Sequence, residues 1–167
     1  MTLALTDVHY EDDHATAACV LADTWSAAEP RACITARVSP IAAYEPGAFY
    51  KRELPCLLAV LRKAGLERIG CVVVDGYVWL DDAGTPGLGA KLYEALERRV
   101  PVVGLAKTAF RGSAMALPLP RPGTEKPLFL TAVGVTPEVA LRWAKQLHGP
   151  YRLPTLIKRV DQLSREG

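Results

Sequence analysis

Three carboxylates and a lysine stand out in this chain by where they fall. Val72-Val73-Val74-Asp75-Gly76 carries three β-branched residues, suited to a buried strand, up to a carboxylate. The glycine that follows lets the backbone turn sharply beside whatever the carboxylate holds. Asp7 lies inside another apolar run, Leu5-Thr6-Asp7-Val8, where a buried, unpaired carboxylate is costly. It must be exposed, paired or bound to a cation. Glu53 precedes Pro55 in a segment of helical apolar spacing, and Lys107 follows a further apolar run as Asp75 follows its own. An Asp at a strand end is also an ordinary solvated residue, and Lys107 has a second reading as a plain counter-ion to Asp75. Gathered at adjacent element ends, Asp7, Glu53 and Asp75 would repel one another in water. Mg²⁺, a hard cation that takes oxygen ligands and keeps open positions for phosphate, satisfies such a set, with Mn²⁺ as a substitute. The chemistry it supplies is polarisation of a phosphodiester and activation of water.

The elements that must position these groups can be read along the chain. Residues 1–10, 15–22 and 32–38 are strands joined by short polar turns, which predicts three antiparallel strands in sequence. Helix is the rival reading of the alanine-rich 15–22. The segment 39–47, broken by Pro40 and Pro46, is a loop in which Tyr44-Glu45-Pro46-Gly47 holds an aromatic ring at a fixed place. Residues 48–64 read as a helix with Phe49, Leu54, Leu57, Leu58, Leu61 and Ala64 on one broad side, ended by Gly65. Pro55 predicts a new start or a kink near Leu54. Residues 69–74 form a central strand, 76–89 an irregular glycine-rich stretch, 90–99 a short helix and 100–105 a strand parallel to the central one. The stretch 111–127 is a loop or loose hairpin and 128–131 a short strand. Thr136-Pro137 opens a helix that runs to about His148 with Val139, Ala140, Trp143, Ala144 and Leu147 inward, stopped by Gly149-Pro150. A terminal helix over 155–164 presents Arg159 and Asp161. The result is an α/β domain with a mixed sheet, three antiparallel strands followed by parallel ones, and helices on both faces. That order matches the ribonuclease H-like plan.

Bulk properties bound the function. At 167 residues, 50% apolar and 23% charged, the chain fits one globular domain spanning 1–167 that needs no metal or disulfide to build a core. The net charge of +2 does not announce nucleic acid, but its distribution is uneven. Residues 1–29 carry six acids and no Lys or Arg, whereas 142–167 hold Arg142, Lys145, Arg152, Lys158, Arg159 and Arg165 against two acids. A metal site facing a phosphate-binding rim is one reading and a mixed solvated surface the other. Cys19, Cys33, Cys56 and Cys71 form no CxxC pair and read as buried free thiols of a reducing compartment. No secretory signal and no run of membrane-spanning length are visible, so a cytoplasmic, membrane-independent protein is expected. Nothing calls for an obligate protein partner, so the chain is expected to be a monomer. His9, His14 and His148 are too scattered to form a ligand set.

Several short motifs, in shared order, resemble the endonuclease V family of inosine-directed nucleases. They are Asp7-Val8-His9-Tyr10, Tyr44-Glu45-Pro46-Gly47, Arg52-Glu53-Leu54-Pro55, Asp75-Gly76, Gly104-Leu105-Ala106-Lys107, Lys126-Pro127 and Tyr151-Arg152-Leu153-Pro154. The resemblance implies that Asp7, Glu53 and Asp75 bind the metal and that Lys107 approaches the cleaved phosphate. Asp161 falls near a position where relatives carry an Asp or His that completes the acidic site. Tyr44, on the loop shaped by Pro46 and Gly47, corresponds to an aromatic wedge that holds the strands apart. Gly76, Arg152 and Arg159 join the nucleic-acid-binding set. The implied activity is Mg²⁺-dependent hydrolysis of DNA or RNA in repair, at the second phosphodiester 3′ to the lesion, leaving 3′-hydroxyl and 5′-phosphate ends.

The chain departs from that pattern after Asp75-Gly76. Relatives carry a Gly, a His-Pro-Arg stretch and a second His. Here the residues are Tyr77-Val78-Trp79-Leu80-Asp81-Asp82, with Lys91 near the second His position. That loop helps form the base pocket in the family, so weakened or absent inosine selectivity is expected; Tyr77 and Trp79 are large enough to stack on a base and equally able to fill the space where one would sit. A non-catalytic nucleic-acid-binding protein that kept the fold is the alternative from another class.

Overall fold

In the computed structural model, which describes residues 1–109 and 115–167, the chain folds around a seven-stranded sheet in the order β3-β2-β1-β4-β5-β7-β6. The first three strands, β1 (Leu3–Tyr10), β2 (Ala15–Ala22) and β3 (Ala32–Val38), form an antiparallel meander. Every residue of β2 is buried, because β2 lies between two neighbours and is covered on both faces; that is why its alanines belong to a strand. Next to β1, β4 (Cys71–Asp75) and β5 (Val102–Ala106) run parallel to it and to each other. The expected mixed, ribonuclease H-like sheet is therefore present. It has one more reversal than expected: β7 (Leu128–Val133) returns antiparallel to β5.

The pleat divides the core in two. Leu3, Leu5, Val20, Cys71, Val73, Val103 and Leu105 face α3 (Pro137–Ala144) and α4 (Thr155–Glu166). Ala4, Cys19, Leu21, Val72, Val74 and Val102 face α1 (Tyr50–Ala64) and α2 (Leu88–Ala95). Helices thus cover both faces, as the apolar periodicities predict.

Local differences have local causes. Helix α1 runs through Pro55 without a new start and ends where Gly65 adopts φ 90°. Thr136 caps α3 by accepting a hydrogen bond from the Val139 amide, with Pro137 in the first turn. The helix ends at Ala144, four residues short of His148, because the amides of Gln146 and Leu147 bond three residues back. The stretch expected as loop or loose hairpin contains a short edge strand, β6 (Leu117–Leu119), paired antiparallel with β7. Pro118 is tolerated there because an edge strand has an unpaired side. Residues 110–114, which include the start of that stretch, lie outside the described residues. Cys19, Cys56 and Cys71 are buried free thiols, but Cys33 is exposed. It sits on edge strand β3 and alternates with Ala32 and Ile34, which pack toward α1.

Candidate active site

The pairing of β1 with β4 brings two of the acids together. Leu3 pairs with Cys71 and Leu5 with Val73, so Asp7 and Asp75 occupy corresponding positions two residues on, with the same pleat orientation. Thr6 Oγ1 donates to the Val73 carbonyl at 2.8 Å and ties the strands just below the acids. Ser164 on α4, itself buried, donates through Oγ to Asp7 Oδ2 at 2.9 Å. Asp161 stands one turn earlier on the same helix and lines one cavity with Asp7, Asp75 and Lys107. Lys107 reaches this place because it follows β5 directly, one strand over from Asp75.

Glu53 comes from the other face, on α1, and is only 7% exposed. Burial, then repulsion from Asp75 and Asp7, lifts its carboxyl from an ordinary 4.5 to about 8. Asp7 is raised from 3.8 to about 6, first by burial; the Ser164 hydroxyl opposes the shift and Asp75 adds to it. Asp75 is exposed, yet protein atoms crowd its carboxyl enough to raise it too, with Lys107 opposing and Asp161 adding repulsion. Asp7 and Asp75 therefore feel Asp161, Glu53 feels both of them, and Lys107 offsets part of the charge at Asp75. Among the described residues, no three His, Cys, Asp or Glu side chains converge on one point as a ready metal site. The donors are all oxygens and the cluster holds surplus negative charge, so in chemistry it fits a hard divalent cation.

The backbone after Asp75 is shaped by two glycines. Gly76 adopts φ 118°, which a side chain would strain. A Cβ on Gly104 would meet the Gly76 carbonyl oxygen at 2.4 Å, so the chain leaving the site passes directly over β5. The loop that follows is tied into the fold. The Val78 amide donates to Thr131 Oγ1 at 2.8 Å, the Tyr77 hydroxyl to the Thr108 carbonyl at 2.7 Å and Trp79 Nε1 to the Ala132 carbonyl at 3.2 Å. Tyr77 is buried and Trp79 packs against the α1–α2 side of the core. Lys91 lies over the Tyr50 ring, 4.9 Å from its centroid. The cavity beside Asp7 and Asp75 has a volume of about 60 Å³, and its apolar wall comes from β5, β7 and α4 rather than from residues 77–91. That is well below the roughly 300 Å³ at which small-molecule pockets begin.

The remaining expected residues divide. Tyr44 is 64% exposed on the loop before α1, with Pro46 and Gly47 exposed beside it. Arg152 is turned inward, its Nη2 donating to the carbonyls of Lys107 and of Pro127. Arg159 makes a 3.4 Å contact with Glu166. Three structural residues escape sequence reasoning: Ser164, Thr6 and Arg121. The last is buried and donates to the carbonyls of Leu147, Gly149, Tyr151 and Arg152. Ser164 has a readable signal, since it lies three residues beyond Asp161 on a helix whose Val160 and Leu163 face inward.

No family model matches the chain. A curated relative, the endonuclease V of Rhodospirillum centenum, is 28% identical over 147 residues. That match takes in 75% of this chain but only 59% of the relative, less than two-thirds of its length. The crystal structure of endonuclease V from Streptomyces avermitilis superposes with TM-score 0.77 at 27% identity, covering 99% of this chain and 80% of that one. The endonuclease V of Ciona intestinalis, solved with a 24mer DNA containing an inosine followed by a ribo-adenosine, has the same fold. It gives TM-score 0.82 at 18% identity over 99% of this chain and 84% of that one. In sequence and in fold, this chain is homologous to the endonuclease V proteins.

Proposed function

We propose that the chain is a metal-dependent endonuclease that hydrolyses a phosphodiester bond in DNA or RNA, 3′ to deoxyinosine or another modified base. The observation that carries the reading is that Asp7 and Asp75 stand at corresponding positions on neighbouring parallel strands, within the field of Glu53 and Asp161 and beside Lys107. Homology to endonuclease V proteins, one of them solved on inosine-containing DNA, supports it. In this reading Asp7, Glu53 and Asp75 hold Mg²⁺, which when bound polarises the phosphodiester and activates water. Ser164 fixes one oxygen of Asp7. Lys107 meets the charge of the scissile phosphate, and Asp161 completes the acidic side. Tyr44 stacks where a base is displaced, presented by Pro46 and Gly47, and Gly76 lets a strand approach the backbone. Arg159 lies along the basic C-terminal surface. Arg152 serves the same strand indirectly, through the carbonyls that it holds. The protein acts as a monomer in the cytoplasm, a place that suits its free thiols. No helix among the described residues is long and apolar enough to cross a membrane.

Base selectivity is expected to be weak, because Tyr77 and Trp79 are spent on the fold. A second reading, a binding protein without catalysis, is kept because among the described residues the carboxylates do not converge on one point. End-labelled strands carrying inosine, uracil, an abasic site or a mismatch, incubated with Mg²⁺ or chelator, separate the two. Mg²⁺-dependent cutting supports the nuclease. Inertness on every substrate, with binding indifferent to Mg²⁺ and to Asp7→Ala, supports the binding protein.

A further inference from the structure

Beside the acidic cavity lies a second depression of about 330 Å³, whose lining includes Lys107, Glu125, Lys126, Pro127, Phe129 and Arg152. Lys107 belongs to both and stands on the ridge between them. Three of the lining side chains are cationic and one is anionic, so the groove is net positive next to a site that is net negative. The half-buried Phe129 contributes an aromatic surface; it alternates along β7 with Leu128 and Leu130, which enter the core.

The cations do different work. Arg152 is committed to the Lys107 and Pro127 carbonyls and so joins the segment after β5 to the segment before β7. It holds the two walls of the groove at a fixed separation. Lys126 is exposed, and among the described residues its ammonium forms no ion pair. A free ammonium in the same groove as Lys107 and an aromatic surface suits a phosphate flanked by a sugar or base.

We infer that this groove is a phosphodiester subsite for the strand leaving the acidic site, with Lys126 making the phosphate contact and Arg152 as a positioning residue. The inference rests on the nucleic-acid reading given above and names the path of the strand within it. The shared chemistry is the phosphate backbone, so DNA and RNA both qualify.

The test is equilibrium binding of fluorescent single-stranded DNA and RNA oligonucleotides to the full chain, in chelator, across a salt series. Lys126→Ala is expected to weaken binding to every sequence and to make the slope of log affinity against log salt shallower by about 0.7, the value of one single-strand phosphate contact. Lys126→Glu is expected to weaken it further. Lys63, which donates to the Thr35 carbonyl at the opposite edge of the sheet, is the control, and Lys63→Ala leaves the slope unchanged. Wild-type binding with Lys126→Ala and Lys126→Glu both indistinguishable from Lys63→Ala overturns the subsite and leaves the nuclease reading standing. Failure of the wild-type chain to bind any strand overturns both.

Discussion

Glu53→Gln should stabilise the metal-free protein at alkaline pH and do so by a large amount. Glu53 is 7% exposed and shares its surroundings with Asp75 and Asp7. Its carboxyl is raised from 4.5 to about 8 in the folded chain. The folded state therefore binds the proton more tightly than the unfolded one. The stability associated with that proton is fully present below about pH 4.5 and is lost as pH rises through about 8. At 1.36 kcal/mol per pH unit, a displacement from 4.5 to about 8 amounts to at most about 5 kcal/mol. Glutamine keeps the shape of the neutral acid and cannot ionise. Urea denaturation in chelator at pH 5, 7 and 9 reads the effect. The variant should match the wild type at pH 5 within roughly 1 kcal/mol, as expected when no charge is removed. By pH 9 it should be the more stable by ~3–5 kcal/mol. Added Mg²⁺ should narrow the gap by stabilising the wild type alone. A variant equally or less stable than the wild type at pH 9 would refute the burial of Glu53, with Asp75 and Asp7 close by, on which the site is built.

Other consequences follow from the same geometry. Asp7→Ala and Asp75→Ala should abolish cleavage while circular dichroism and chelated stability stay at or above wild type, since each removes one of several mutually repelling acids; an unfolded Asp75→Ala would mark that residue as structural. Tyr44→Ala should lower discrimination between lesion and normal pairs in duplex by roughly 1–3 kcal/mol, the worth of one stacking aromatic, and leave single-strand cleavage nearly unchanged. An equal drop on both substrates would instead indicate a collapsed loop. Arg121→Ala strips donors from four backbone carbonyls and should cost about 3 kcal/mol or more in denaturant stability, with little recovery by Arg121→Lys, whose single ammonium cannot span them.

What the sequence discloses about this fold depends on how local the determining interactions are. The bounds of β2 and β3 could be read because short polar turns bracket runs of strand-forming residues, and α1 because its apolar side repeats over fifteen residues up to Gly65. Asp7 and Asp75 were legible because a carboxylate within or at the end of an apolar strand needs a partner. Ser164 is legible only as an inward-facing helical residue, because its partner is 157 residues away and its position on the helix does not say what it meets. Arg152 and Arg159 count alike in a tally of positive charge, yet one points at backbone carbonyls and the other at Glu166. Direction is a tertiary property that composition does not encode. Arg121 was hidden in a proline-rich stretch that reads as loop. Cys33 is exposed against expectation because burial at an edge strand depends on which face the covering helix takes.

The central claim is that the four acids and Lys107 form a phosphodiester-cleaving site. Its most direct measurement is the cutting of an end-labelled, inosine-containing strand by the wild-type chain, Asp7→Ala and Asp75→Ala, with the product ends identified. Mg²⁺-dependent cutting by the wild type alone, at a bond 3′ to the inosine and leaving 3′-hydroxyl and 5′-phosphate ends, is the result predicted. Cutting that persists in Asp75→Ala, or a wild-type chain that binds the strand and never cuts it at any Mg²⁺ concentration, would contradict it.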